Sequence, residues 1–255
     1  MSWWYDQPQM NAAEKRAKAA REAEKLRRDG KPLQPIVVEG RQIARTFWGK
    51  AWCDHIEQLS DFESRLSKGK TYARNGSIIH LDVQPGRVEA IVSGQSTYEI
   101  SIDIDPLPPE RWEAIKDQCA GRVGSLVELL QGNLSAEVMR VLVDPQTGMF
   151  PDVDDFRLDC SCPDFARLCK HLAACLYGVG ARLDDSPELL FTLRGVDHLE
   201  LLDSAGSAAS NVLGRDGAGE PTIADDALAE IFGIDLALEP PREKSTKVRG
   251  RRRRT

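Results

Sequence analysis

Four side chains able to ligate a soft metal stand close together in the sequence: Cys160, Cys162, Cys169 and His171, spaced C-x-C-x6-C-x-H. Three thiolates and one imidazole form a donor set for tetrahedral zinc. A closed Cys3His set leaves no position for water or substrate, which makes such a site structural. Thiolates also select zinc or copper(I) over hard ions such as magnesium. The expectation is one structural Zn2+ per chain, with Arg167 or Lys170 offsetting part of the negative charge of three thiolates around it. Cys53, Cys119 and Cys175 stand alone or on apolar faces and read as small core residues.

This constellation constrains the backbone. Residues two apart in a strand share a face but lie about 7 Å apart, so a tight bend must draw Cys160 and Cys162 together, and Pro163 restrains the chain there. Cys169 and His171 open a helix whose Leu172, Cys175, Leu176, Val179 and Leu183 recur on one face. The free amides at its N-terminus can hydrogen-bond the thiolates.

Upstream, Thr46 caps a helix carrying Trp48, Trp52, Ile56 and Leu59 at core spacing. Ile79, Leu81 and Val83 alternate with Ile78, His80 and Asp82 before a Pro85-Gly86 turn; Val88, Ala90 and Val92, then Tyr98, Ile100, Ile102 and Ile104, continue the pattern. These runs predict a three-stranded antiparallel meander with one buried face, covered by helices. Pro106, Pro108 and Pro109 end the sheet, and helical patterns follow around 109–119, 124–131 and 135–143. The fold class is α+β: the meander packed with helices, joined to a small zinc finger that leads into further helices.

At 255 residues, 41% apolar and 29% charged, the chain has the composition of a soluble globular protein. It has no apolar run of membrane-spanning length and no signal-peptide order at its start, so cytoplasmic residence is expected, with thiols kept reduced and no membrane partner. Residues 1–31 carry eight Lys/Arg against five acids and residues 241–255 eight against one, a joint excess of ten positive charges. With a net charge of −6 overall, residues 32–240 therefore stand near −16. Any DNA or RNA contact is expected through the basic tails, above all Arg249, Arg251, Arg252, Arg253 and Arg254, or through one local patch.

The expected organisation is a basic, largely flexible segment over 1–40, an α+β domain over 41–145, the finger with its helices over 146–203, a small-residue linker over 204–221, a short amphipathic helix over 222–236 and a disordered basic tail over 237–255. The 11–29 stretch lacks an apolar stripe and reads as a solvated helix. Leu228, Ile231 and Phe232 form a stripe for docking on a partner or folding back.

Gly69-Lys70-Thr71 lacks the preceding glycine of a phosphate loop, since Ser64 stands there. Lys68, Lys70 and Arg74 around Tyr72 are candidates for a nucleic-acid backbone contact with base stacking, against the simpler reading of a solvated loop. His80 beside Asp82 and His55 near Glu57 have no nucleophile nearby and read as interfacial polar residues, and His198 reads as a helix-surface residue.

A C-x-C-x6-C-x-H set followed directly by an apolar helix resembles the SWIM zinc finger, in particular that of bacterial SWIM-containing proteins. The similarity extends to residues 68–76 (KGKTYARNG), to Cys160-Ser161-Cys162-Pro163-Asp164, and to Pro187-Glu188-Leu189-Leu190 through Arg194-Gly195-Val196-Asp197. The resemblance implies zinc on the four ligand positions, a role in DNA or protein interaction, and association with a Swi/Snf-type helicase-like ATPase. It implies no catalytic residues and no small-molecule substrate. A zinc-dependent hydrolase or other metalloenzyme is the alternative; the sequence has no H-E-x-x-H or H-x-E partner for it.

Overall fold

The computed structural model describes residues 10–59 and 63–202. The linker, the 222–236 helix with Leu228, Ile231 and Phe232, and the tail with Arg249 and Arg251–Arg254 lie outside the described residues. Helix α1 (Ala12–Arg28) is followed by α2 (Phe47–Gln58) and α3 (Glu63–Arg74). Strands β1 (Ile78–Gln84), β2 (Arg87–Ser93) and β3 (Thr97–Ile104) follow, then α4 (Pro109–Cys119), α5 (Leu126–Gln131) and α6 (Ala136–Val143). Strand β4 (Phe156–Cys160), α7 (Lys170–Asp185) and α8 (Leu189–Arg194) complete the described fold.

The sheet has four strands in the order β1-β2-β3-β4, all antiparallel, one more than the meander expected from the sequence. The additional strand returns after the three short helices to pair with β3, setting Ile100 opposite Cys160, Ile102 opposite Leu158 and Ile104 opposite Phe156. Five residues pairing across more than fifty leave no local turn signal to betray them.

The expectation of a single buried face is also corrected. The β1–β2 register shifts between Ile78 and His80, so Ile79 turns away from Ile78 and Leu81. Ile78 and Leu81 enter the main core, whereas Ile79 packs against Ala19 and Ala23 of α1 on the other face. The 11–29 stretch is therefore a docked helix, opened by an Asn11–Glu14 capping box. Its contact face is built of alanines, which carry too little apolar area to read as a stripe. Gln34 and Ile36 pair with β1 through Ile36 N to Ile78 O and Leu81 N to Gln34 O, covering that edge of the sheet.

The main core surrounds α7, whose residues from His171 through Gly180 are all buried rather than only one face of the helix. One continuous cluster runs from Ile36 and Trp48 to Leu201, across the position 145 at which the sequence divides into two expected domains. α2 presents Trp48 and Trp52, whose indole nitrogens donate to the carbonyls of Leu129 and Leu176 at 2.9 and 2.8 Å. Asp184, near the end of α7, accepts from the amides of Arg45 and Thr46 and from the Thr46 hydroxyl, tying down the start of α2. α3 is a helix where a loop was the favoured reading. It lies on α7 through Leu66, Gly69 and Ala73, so closely that a Cβ at Gly69 would stand 2.5 Å from that of Ala173.

Candidate metal centre

Each ligand is delivered by an element the core already fixes. Cys160 ends β4, held in register opposite Ile100. The chain then bends, with the Ser161 amide donating to the Glu99 carbonyl at 3.0 Å and the Ser161 hydroxyl accepting from the Glu99 amide at 3.0 Å. That bend turns Cys162 back toward Cys160. Cys169 is the N-cap of α7, its sulfur accepting from the Leu172 amide at 3.5 Å, and His171 lies in the first turn.

The four ligand atoms all lie within 4.8 Å of one another. His171 Nδ1 stands 3.9 Å from Cys160 Sγ and 3.8 Å from Cys169 Sγ. A tetrahedral ion with bonds of about 2.3 Å to sulfur and about 2.0 Å to nitrogen gives sulfur–nitrogen edges of about 3.5 Å. The residues fit zinc, and the set is that of one structural Zn2+. The Cys169 thiol is drawn down to about 3, first by a hydrogen bond from Cys160 and further by His171 and the Leu172 amide. The Cys160 thiol is driven up, chiefly by the same contact with Cys169. These residues would hold zinc as thiolates, so metal binding would release the thiol protons and weaken as the pH falls.

His171 is oriented by its surroundings. Its ring stacks on Tyr98 at 4.3 Å between centroids and meets the edge of Tyr72 at 5.3 Å. Gly94 closes the far side: a Cβ there would stand 2.8 Å from the Tyr98 ring and 3.0 Å from His171 Nε2. Nε2 is buried and has no hydrogen-bond partner among the described residues, leaving Nδ1 to face the sulfurs. Lys18 of α1 donates to the carbonyls of Gly94 and Gln95 at 2.5 and 2.7 Å, bracing the β2–β3 hairpin behind the ring. Tyr98, Gly94 and Lys18 were not legible as parts of a site, because Tyr98 reads as one more inward residue of a strand and Lys18 as solvated charge.

The loop between the second and third ligands is fastened at its sides. Asp164 pairs with Arg65 at 3.4 Å and accepts from the Ala166 amide, and Arg167 donates to the Val153 carbonyl at 2.8 Å. Phe165, between them, is fully exposed.

The structure separates the cationic candidates of the 68–74 stretch. Lys68 and Arg74 are exposed on α3, and Lys70 pairs with Glu57 while lying 5.4 Å from the centre of the Tyr177 ring. Tyr72 is half-buried, with its ring set edge-on against His171. Cys53, Cys119 and Cys175 are buried; burial pushes the Cys53 thiol up to about 12 and the Cys119 thiol up to about 11, and raises that of Cys175 as well. His55 Nε2–H donates to the Pro151 carbonyl at 2.8 Å, and the Gln34 amide donates to His80 Nδ1 at 3.1 Å. Both are structural contacts, and neither ring joins the metal cluster.

Residues 140–177 match the SWIM zinc finger family. Among curated proteins, the uncharacterized protein Rv2102 of Mycobacterium tuberculosis is 31% identical over 191 residues, which cover 71% of this chain and 69% of that protein. No solved structure matches. Among the described residues no helix is long and apolar enough to cross a membrane.

Proposed function

The chain belongs to the SWIM zinc finger family, and from that premise we propose that it is a non-catalytic interaction module in which zinc holds the 163–168 loop in the shape a protein partner reads. The observation that carries this reading is Phe165, fully exposed on a loop pinned on both flanks. A large aromatic side chain left in water forgoes about 1.5–3 kcal/mol of burial that a partner can supply, and short fixed loops lose little entropy on docking. The partner class in this reading is a Swi/Snf-type helicase-like ATPase, and the protein acts in the cytoplasm, where its ligand thiols stay reduced. A metalloenzyme needs a water position on the ion, and four protein donors leave none.

The test is equilibrium binding of the full chain to the purified helicase-like ATPase of the same cell. Phe165→Asp is expected to weaken binding at least tenfold while zinc content and melting temperature stay unchanged, because the side chain touches no core residue. Cys162→Ser is expected to weaken binding and lose zinc together. Unaltered affinity in Phe165→Asp would end the proposal.

A further inference from the structure

Two clefts away from the metal share the side chain of Arg74. The larger, of about 540 Å³, lies between α1 and the extended 35–40 segment, with Ile36, Val37 and Ile79 on its floor and Arg16, Arg27 and Arg74 at its rim. No carboxylate lines it. The smaller, of about 290 Å³, adds Arg41, Lys50 and Lys70 to Arg74, with Asp54 and Glu57 among its walls. Glu57 is already taken by Lys70 and by the Tyr177 hydroxyl at 3.1 Å.

Most other cations of the described fold have carboxylate partners, as do Arg65, Arg87, Arg111, Arg122 and Arg157. Among the described residues no carboxylate lies within ion-pair distance of Arg16, Arg27, Arg41, Lys50 or Arg74. Arg16 and Arg27 come from the basic 1–31 segment and Arg41, Lys50 and Arg74 from the acidic stretch after it, and together they make a local positive field suited to an anion. Val37, which lines the larger cleft, is 76% exposed.

We propose that this band binds single-stranded nucleic acid, with phosphates on the arginine rim and base faces against the exposed Val37 side chain. The exposed Val37 decides between strands: a duplex hides its base faces, whereas a single strand offers them. Arg16 and Arg27 stand eleven residues apart on α1, about 16 Å along the helix axis, so the rim addresses several phosphates rather than one. The inference goes beyond the protein-docking role of Phe165 and uses none of its residues.

The experiment is fluorescence anisotropy of the zinc-loaded full chain with a labelled 20-nucleotide oligothymidylate and with a duplex of the same length, across a salt series. The same series is run on a full-length variant with Arg249 and Arg251–Arg254 replaced by Gln. Tighter binding of the single strand, retained in that variant, is expected. Arg74→Glu should weaken binding roughly tenfold or more, with Arg74→Lys close to the parent. Arg16→Glu with Arg27→Glu should flatten the dependence of log affinity on log salt by about 0.7 for each cation lost. Zinc content and melting temperature should not move. Equal or tighter duplex binding, loss of all binding with the tail arginines alone, or unchanged affinity after the three reversals would overturn the inference. None of these outcomes bears on Phe165→Asp, so the two proposals fail separately.

Discussion

Gly69→Ala is expected to destabilise the protein even though it places a better helix former inside a helix. In α3 the exchange by itself favours the folded state by about 1 kcal/mol, the usual difference between Gly and Ala in a helix interior. The added methyl, however, would stand 2.5 Å from Ala173 Cβ, 2.7 Å from the Ala173 carbonyl carbon and 2.9 Å from the Ala174 amide nitrogen. Carbon atoms pack at about 3.5–4.0 Å, so α3 and α7 must part by about 1 Å. Overpacking of this kind costs about 1–3 kcal/mol, and two of the three obstructing atoms are backbone and cannot rotate aside. The balance is a net loss of about 1 kcal/mol, or about 2–4 °C in melting temperature for an ordered region of this size. Urea unfolding of the zinc-loaded variant measures it as a lower midpoint at unchanged slope. A variant as stable as the parent, or about 1 kcal/mol more stable, would refute the close α3–α7 contact and return the 68–74 stretch to a solvated element.

Two further outcomes are expected. Elemental analysis should find one zinc per purified chain, a reduced content in Cys162→Ser and His171→Ala, and full content in Cys175→Ser; stoichiometric zinc in a Cys160/Cys162 double variant would overturn the ligand assignment. Burial holds the His55 pKa below its ordinary 6.5, so the unfolded chain takes up the proton first. The stabilisation from the neutral ring is complete above pH 6.5 and is lost as the pH falls below that value. His55→Gln should therefore lose less stability than the parent between pH 7.5 and 5.5, read at pH values where both retain zinc, and an identical pH slope would remove His55 from that role.

Local chemistry was enough for one class of feature. The four ligands, the helix opened by Cys169, the Trp48–Trp52 helix, the three short helices before the finger and the first three strands all declare themselves through ligand type, caps or periodicity within a few residues. What stayed hidden depended on a partner distant in the chain. β4 is five residues whose strand character exists only against β3. α1 and α3 dock through Ala19, Ala23, Gly69 and Ala73, and such small residues permit close approach without contributing the apolar area that periodicity detects. The register shift after Ile78 splits the isoleucines of β1 between two faces, which alternation alone places together. Zinc ligation could thus be read from donor types and spacing, because coordination is a property of those side chains. The wall of Tyr98, Tyr72 and Gly94 around His171, and the unpaired arginines meeting at Arg74, are products of packing between separate elements, and only the tertiary structure decides them.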